Sequence, residues 1–410
     1  MDALLAPLVG DKTVTLRQIE RRLMLSSDMP GLTLSSTITA GSQRGGTVLI
    51  IDGQHRPVTG FLTVDNLLSR ELGRLSFGIG IDFNSVLGAG ETIYLRASGL
   101  PNTGRKTSVL DPTPRNRALA AGFALPLGTD GLNISAEYTD ARLAPRYDGT
   151  RPGIASQFER LSARVQYPLV RSRALTLGSE LALDVQRERV RIFDPVDLPL
   201  SEDRQRVLRA GLDLVSRLPG GGYVVASVKG AVGLDIFNAR SADEASPILP
   251  LSRAGSDAAF QKLEFGLDAV QPIVPDLSLA ITGRAQSGLG QAMSNAEQFG
   301  IATARGISPL PSGLIQGDSG HLVRGELRGS LQIARTVPPV SPYIFGAHGS
   351  VLLDQPTFFE RRRTDASAYG VGARLTLPAG ITASTEYGRA STDVLADSTD
   401  RLTFSIIAQF

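Results

Sequence analysis

The chain has 410 residues, and its 42 Lys+Arg stand against 40 Asp+Glu, a net charge of +2 carried by arginines scattered singly rather than in stripes. That pattern leaves no electrostatic footprint for nucleic acid. The absence of Cys excludes disulfides and thiolate chemistry, and three histidines at unrelated spacings (His55, His321, His348) argue against a metal centre. No uncharged apolar run approaches the roughly 18 residues that a membrane-spanning helix needs, but a spanning barrel stays open. Frequent Gly (44) and Pro (24) suit many short strands joined by turns.

The first ten residues hold an acidic Asp2 and no basic segment ahead of an apolar one, so no secretory signal is visible. Thr15 followed by Gln18 reads as a capping box, and Leu16, Ile19 and Leu23 keep helical spacing until Pro30-Gly31 ends the helix. Leu32, Leu34 and Ile38, a turn at Gly41, then Val48 to Ile51 predict two strands. Helix, strand, strand over residues 1–52 is too little to stabilise itself, so the unit lacks an element or leans on the rest of the chain. The boundary falls at about Asp52 to Arg56.

From there to residue 410 the pattern has a period of two. Leu75, Phe77, Ile79, Ile81 and Phe83 share one face, as do Leu402, Phe404, Ile406, Ala408 and Phe410 at the end of the chain. Glu137, Arg160, Arg164, Glu180, Asp184, Glu264, Asp268 and Arg284 occupy the opposite faces of similar segments. Periodicity alone fits either a soluble sandwich with its leucines inside or a membrane barrel with them outside. Counting favours the barrel. Sixteen strands are predicted near 57–66, 73–84, 91–99, 115–127, 131–144, 155–168, 173–188, 203–217, 221–235, 258–271, 276–289, 320–335, 341–353, 365–377, 380–391 and 400–410. The number is even, many strands are long enough to cross a bilayer obliquely, and short turns such as 126–131 alternate with long polar loops such as 99–115. The expected fold is an all-β transmembrane barrel of 16 antiparallel strands over 56–410, with one long loop at about 288–320 that is too long to be a mere link.

In order and at fitting intervals, several short motifs resemble the TpsB transporters of two-partner secretion, the ShlB/FhaC/HecB haemolysin secretion and activation family of the BamA/TamA superfamily. Residues 10–46, with Asp28-Met29-Pro30-Gly31 and Thr39-Ala40-Gly41-Ser42, look like the end of a second POTRA domain. Val64-Asp65-Asn66, Gly73-Arg74 and Leu87-Gly88-Ala89-Gly90-Glu91 resemble the family's entry into its barrel. Ser294 to Phe299, Ala304-Arg305-Gly306-Ile307, Gly317-Asp318-Ser319-Gly320 and Glu326-Leu327 resemble the run spanning its sixth extracellular loop.

The resemblance implies a partial periplasmic POTRA domain (1–52) before the barrel. It implies export of a large secreted exoprotein to the cell surface, with no cofactor, nucleotide, catalytic residue or metal. Other implied partners are outer-membrane lipid and the barrel-assembly machinery, with Phe410 as the assembly signal and Leu16, Ile19 and Leu23 as a client groove. Ala304, Arg305, Gly306 and Ile307 become the tip of a lumen loop whose arginine is latched to a wall carboxylate. Arg305 is preferred over Arg324 because Arg324-Gly325 falls inside the next strand. The family's acid stands at Ala347 here, so Arg305 is expected to turn to Asp318, Glu326 or another lumen acid. The family's signal peptide, first POTRA domain and front of the second have no counterpart in the sequence, and a truncated start is the expectation. The runner-up function is a BamA/TamA-like assembly factor, and a passive porin is the third. No P-loop or nucleophile elbow points to enzyme chemistry.

Overall fold

The computed structural model describes every residue except 1, 11–12, 43–45, 100–110, 112, 148–149, 151, 333–337 and 379. Two helices open the chain, α1 (Asp2–Leu5) and α2 (Leu16–Ser27). In α2 the Thr15 hydroxyl accepts from the Gln18 N–H and the Gln18 side chain accepts from the Thr15 N–H, the capping box expected from the sequence. Strands β1 (Leu32–Ala40) and β2 (Thr47–His55) then form an isolated two-stranded hairpin.

The next strands are β3 (Val58–Asp65), β4 (Ser76–Asn84), β5 (Thr92–Ser98), β6 (Asn116–Leu127), β7 (Leu132–Leu143), β8 (Gly153–Arg171), β9 (Leu175–Asp194), β10 (Leu198–Arg217), β11 (Tyr223–Gly233), β12 (Gln261–Val274) and β13 (Leu277–Ser287). A two-residue pair, β14 (Phe299–Gly300) and β15 (Gln316–Gly317), lies inside the long loop. The chain finishes with β16 (Ser319–Gly329), β17 (Val340–Leu352), β18 (Arg363–Leu377), β19 (Ile381–Thr392) and β20 (Thr399–Gln409). Except for β14 and β15, the strands from β3 onward pair with their chain neighbours, and β20 pairs back on β3 to close a barrel of sixteen.

Burial settles the choice that periodicity left open. Phe77, Leu181, Ile344 and Leu402 are 46, 50, 57 and 61% exposed, whereas Asp184 and Gln186 on the other face are 2 and 4% exposed. Leucine outside and carboxylate inside is the reverse of a soluble sandwich, and it is stable only where hydrocarbon meets the outer face. No described helix is long and apolar enough to cross a membrane.

Local chemistry fixes the turns. Between β4 and β5, Gly88 and Gly90 adopt positive φ (78° and 76°). The Glu91 carboxylate accepts from the Leu87 and Ala89 N–H groups at 2.6 and 3.0 Å, and the Leu87 N–H holds its carboxyl below the usual range.

Several strands depart from expectation. β8 begins at Gly153, β9 runs on to Asp194 and β10 starts at Leu198, so the expected loop 189–202 is mostly strand. The oily face stops at Val185, and charged side chains then hide the alternation. The strand expected over 320–335 ends at Gly329, and the stretch 333–337 and most of the expected loop 99–115 lie outside the described residues.

Candidate functional site

Residues 288–318, between β13 and β16, turn back into the barrel. Ile301, Ala302, Ile307, Leu310 and Ile315 are buried against Leu322, Tyr343, Phe345, Val351 and three alanines of the wall, Ala347, Ala366 and Ala368. The small residues of β17 and β18 form a shallow bed for the loop. Glycines deepen it: a Cβ on Gly388 would lie 2.8 Å from Pro309 Cγ, and one on Gly349 would lie 3.2 Å from Ile301 Cγ2. Gly306 is required by the same crowding, since its Cβ would meet the Ile301 carbonyl at 2.5 Å and Leu322 at 2.7 Å. Apolar packing therefore holds most of the loop, at roughly 25 cal/mol per Å² of apolar surface removed from water.

The charged anchor beneath this packing is Arg324 on β16, only 3% exposed. Its Nε donates to Glu326 (2.8 Å), Nη1 to Ser308 Oγ (3.0 Å) and the Gly306 carbonyl (3.3 Å), and Nη2 to Glu386 on β19. Its Cζ lies 3.9 Å over the Phe345 ring. Ser308 donates to the other Glu386 oxygen, and Tyr343 Oη donates to Glu386 at 2.9 Å. A wall guanidinium is thus saturated by two wall carboxylates and two loop oxygens, so the loop completes a buried charge network.

The expected pairing of Arg305 with Asp318 or Glu326 is corrected by this geometry. Arg305 is exposed, beside Ala304, and lines a lumen cavity of about 490 Å³ with Arg324, Arg328 and Arg374. Among the described residues it makes no ion pair. Glu326 serves Arg324 and Arg328, and Asp318, fully buried, accepts from Arg253 at 2.7 Å and from the N–H groups of Met293 and Asp354 at 2.9 and 2.7 Å. Arg324, disfavoured by its place within a strand, faces inward there and takes the buried position. Ile307 is buried and Ala347 lies beneath the loop, directly opposite Arg324 in the β16–β17 register.

A second anchor lies within the Ser294 to Phe299 motif, which assigns no partner to its acid. Glu297, 1% exposed, accepts from Arg209 of β10 at 2.6 and 3.1 Å, from Lys262 of β12 at 2.9 Å and from Gln186 of β9 at 2.6 Å. Asp184 completes the cluster, 2.7 Å from Arg209. Beside that motif, the inward parity of Arg209 on a strand whose leucines are even-numbered is the signal the sequence offers for its partner. Glu297 and Arg324 together tie the loop to two stretches of the wall, β9 to β12 and β16 to β19.

At the short-turn rim, α2 docks on the β6–β7 and β8–β9 turns. Arg21 donates to the Asp130 and Pro168 carbonyls (3.2 and 3.1 Å), Arg22 pairs with Asp130 (3.3 Å), and Arg171 binds Asp28 (2.8 Å). Leu25 is buried against Gly131, whose added Cβ would lie 2.6 Å away. Leu16 (exposed) and Ile19 and Leu23 (half-buried) share the opposite helix face. Phe410 exchanges backbone hydrogen bonds with Gly60, both at 3.0 Å, at the β20–β3 seam. That ladder pairs only five residues of each strand, from Ser405–Asp65 to Gln409–Phe61. The Asn66 amide extends it, donating to the Leu402 carbonyl (2.9 Å) and accepting from the Phe404 N–H (2.8 Å).

Two solved structures share this whole architecture. CdiB from Escherichia coli superposes with a TM-score of 0.78 at 18% identity, covering 100% of this chain and 73% of its own. CdiB from Acinetobacter baumannii gives 0.70 at 16% identity, covering 97% and 69%. BamA from Haemophilus ducreyi lacking POTRA domains 1–3 gives 0.58 at 11% identity, covering 95% and 77%. No curated protein matches the sequence. Residues 45–375 match the model of the haemolysin secretion/activation protein ShlB/FhaC/HecB, and the chain belongs to that family of outer-membrane β-barrel secretion transporters.

Proposed function

We propose that this barrel is the pore of a two-partner secretion pair, passing an unfolded exoprotein from periplasm to cell surface without hydrolysing nucleotide. The observation behind it is the folded-back loop: an anchored segment inside the lumen of a secretion-family barrel is a gate rather than a passive constriction. Neighbouring lumen charges neutralise one another, as in Arg160–Glu137 (3.3 Å) and Lys229–Glu180 (3.5 Å). A hydrated wall of that kind passes a polypeptide without trapping it. Residues 1–52 act as a partial POTRA domain that receives the client, by strand addition to the free edges of β1 and β2 and by the apolar face of Leu16, Ile19 and Leu23. Phe410 serves as the signal read by the barrel-assembly machinery. Deleting the gene is expected to abolish surface display of an exoprotein encoded beside it, and undiminished display overturns the proposal.

A second reading has one observation in its favour. The short β20–β3 ladder is a weak seam of the kind an assembly factor opens toward the bilayer. Accumulation of misassembled outer-membrane barrels in the deletion strain, with exoprotein export intact, would support that reading instead.

A further inference from the structure

On the outer face of β9, Leu175, Leu177, Leu181, Leu183 and Val185 alternate along the strand, with Ser179 among them. From Leu175 to Val185, at about 3.3 Å per residue and a tilt of about 40°, the rise is about 25 Å, the height of the apolar band on such barrels. The next three outward positions, going away from the short-turn rim, are Arg187, Arg189 and Arg191. The adjoining β10 repeats the switch: Leu212 and Leu208 face outward, then Arg206 and Arg204. Inward parity of the residues between them is fixed by Gln186 and Gln205, whose side chains meet at 2.8 Å beside the lumen loop. The arginines therefore stand where hydrocarbon gives way to the headgroups of the leaflet on the long-loop side.

Three features separate this belt from an ordinary solvated rim. Five arginines face two outward strand carboxylates, Glu159 and Glu202, which pair with Arg189 (3.0 Å) and Arg187. Among the described residues, loop acids reach Arg191, through Asp197 at 3.0 Å, and Arg204, through Glu244 at 4.0 Å, and none of the other three. Arg206 donates to carbonyls, those of Phe237 and Gln205, and among the described residues no carboxylate pairs with it. Arg187 and Arg204 sit directly opposite each other in the ladder, a like-charge pair that Glu202 on Arg187 and the more distant Glu244 on Arg204 offset only in part. Finally, Arg189 Nε and Arg204 Nε are shielded from solvent without a hydrogen-bond partner.

We propose that this outer face of β9 and β10 binds the phosphate groups of a polyanionic glycolipid in the outer leaflet, with Arg187 and Arg204 flanking the phosphate and the charge of Arg206 beside them. A phosphate between Arg187 and Arg204 would turn their repulsion into two charge-assisted contacts, while the lipid chains lie along the leucines below. The orientation suits an outer-leaflet lipid because the short turns, with α2 docked on them, mark the opposite rim.

The test is native mass spectrometry of the full chain in detergent, titrated with diphosphoryl lipid A and with its dephosphorylated form. Tight retention of the diphosphoryl lipid, at least tenfold weaker retention of the dephosphorylated one, and a comparable loss in Arg204→Gln/Arg206→Gln are expected. The Lys versions of both substitutions should restore part of the binding. Equal retention of the two lipids, or an unaltered affinity in the Gln variant, overturns the proposal. So does displacement of the lipid by millimolar inorganic phosphate, which would mark a site for the free ion. If the Gln variant loses the heat-modifiable gel mobility of a folded barrel, the comparison of the two lipids on the unaltered chain decides alone.

Discussion

The two sides of the lumen carry charge in different ways. Across β4 to β8 the pairs Arg96–Asp82 and Arg160–Glu137 are partly wet, with side chains 21 to 30% exposed. Across β16 to β19, beneath the loop, Arg324, Glu326 and Glu386 retain only 3, 10 and 9% of their side-chain surface. The chemistry is the same, a guanidinium beside a carboxylate, but its energetic meaning differs. An exposed pair contributes about 0 to 1 kcal/mol, whereas removing one partner of a buried pair costs about 3 to 5 kcal/mol because the other charge stays desolvated. The loop creates that difference, since by excluding water from one wall it makes its own displacement expensive.

Arg324→Ala should break this contrast most. It strands Glu386 beneath the loop and removes the donor to Ser308 and the Gly306 carbonyl, at a cost of about 3 to 5 kcal/mol. Purified in detergent, the variant should unfold at clearly lower denaturant, and trypsin should cut after Arg305 far faster than in the parent protein. Single-channel conductance should rise as the loop leaves the lumen. A parental trypsin pattern would show that apolar packing alone retains the loop. Glu297→Gln comes next, with a smaller effect because each cation keeps another acid: Arg209 holds Asp184 and Lys262 holds Glu264 at 2.6 Å. About 1 to 3 kcal/mol is expected, read from the same denaturation series. A loss as large as that of Arg324→Ala would make the two anchors one cooperative unit.

The sequence carried the barrel more completely than the site, for a physical reason. A lipid-facing strand must alternate over its whole crossing, so every segment repeats the same message, and the sixteen expected strands all appear. The message ends where lipid ends, which is why the tops of β9 and β10 read as loop once Arg187 and Arg206 interrupt the oily face. Site residues lack that redundancy. Arg305 matched a motif by its neighbours in the chain, whereas Arg324 is placed by its neighbours across the ladder, Ala347 on β17 and, two strands further, Glu386. Chain spacing could not show that Glu386 supplies the acid missing at Ala347, since Glu386 stands three strands from Arg324 and, through the β17–β18–β19 register, comes level with Tyr343 rather than with Ala347. The capping box at Thr15 was legible because both its partners lie within one helical turn.

The smallest effect is expected from the residue that motif matching favoured most. Arg305→Ala removes an exposed guanidinium with no carboxylate partner among the described residues, and such surface changes stay within about 0.5 kcal/mol. The denaturation midpoint should be unchanged, and so should resting conductance, because the contacts that seat the loop belong to Ile301, Ile307, Ser308 and Leu310. Trypsin cannot report on this variant, which lacks the cleavage site, so a cysteine placed at Ala304 and its labelling rate from the outer side serve instead. A small effect at rest leaves room for a role during export, when a client fills the lumen and Arg305, facing the same cavity as Arg328 and Arg374, meets its acidic side chains. Secretion that falls in Arg305→Ala with resting stability and labelling unchanged would assign this arginine to the moving chain. A fall in stability matching that of Arg324→Ala would instead return the anchor to the loop tip and undo the contrast between the two walls.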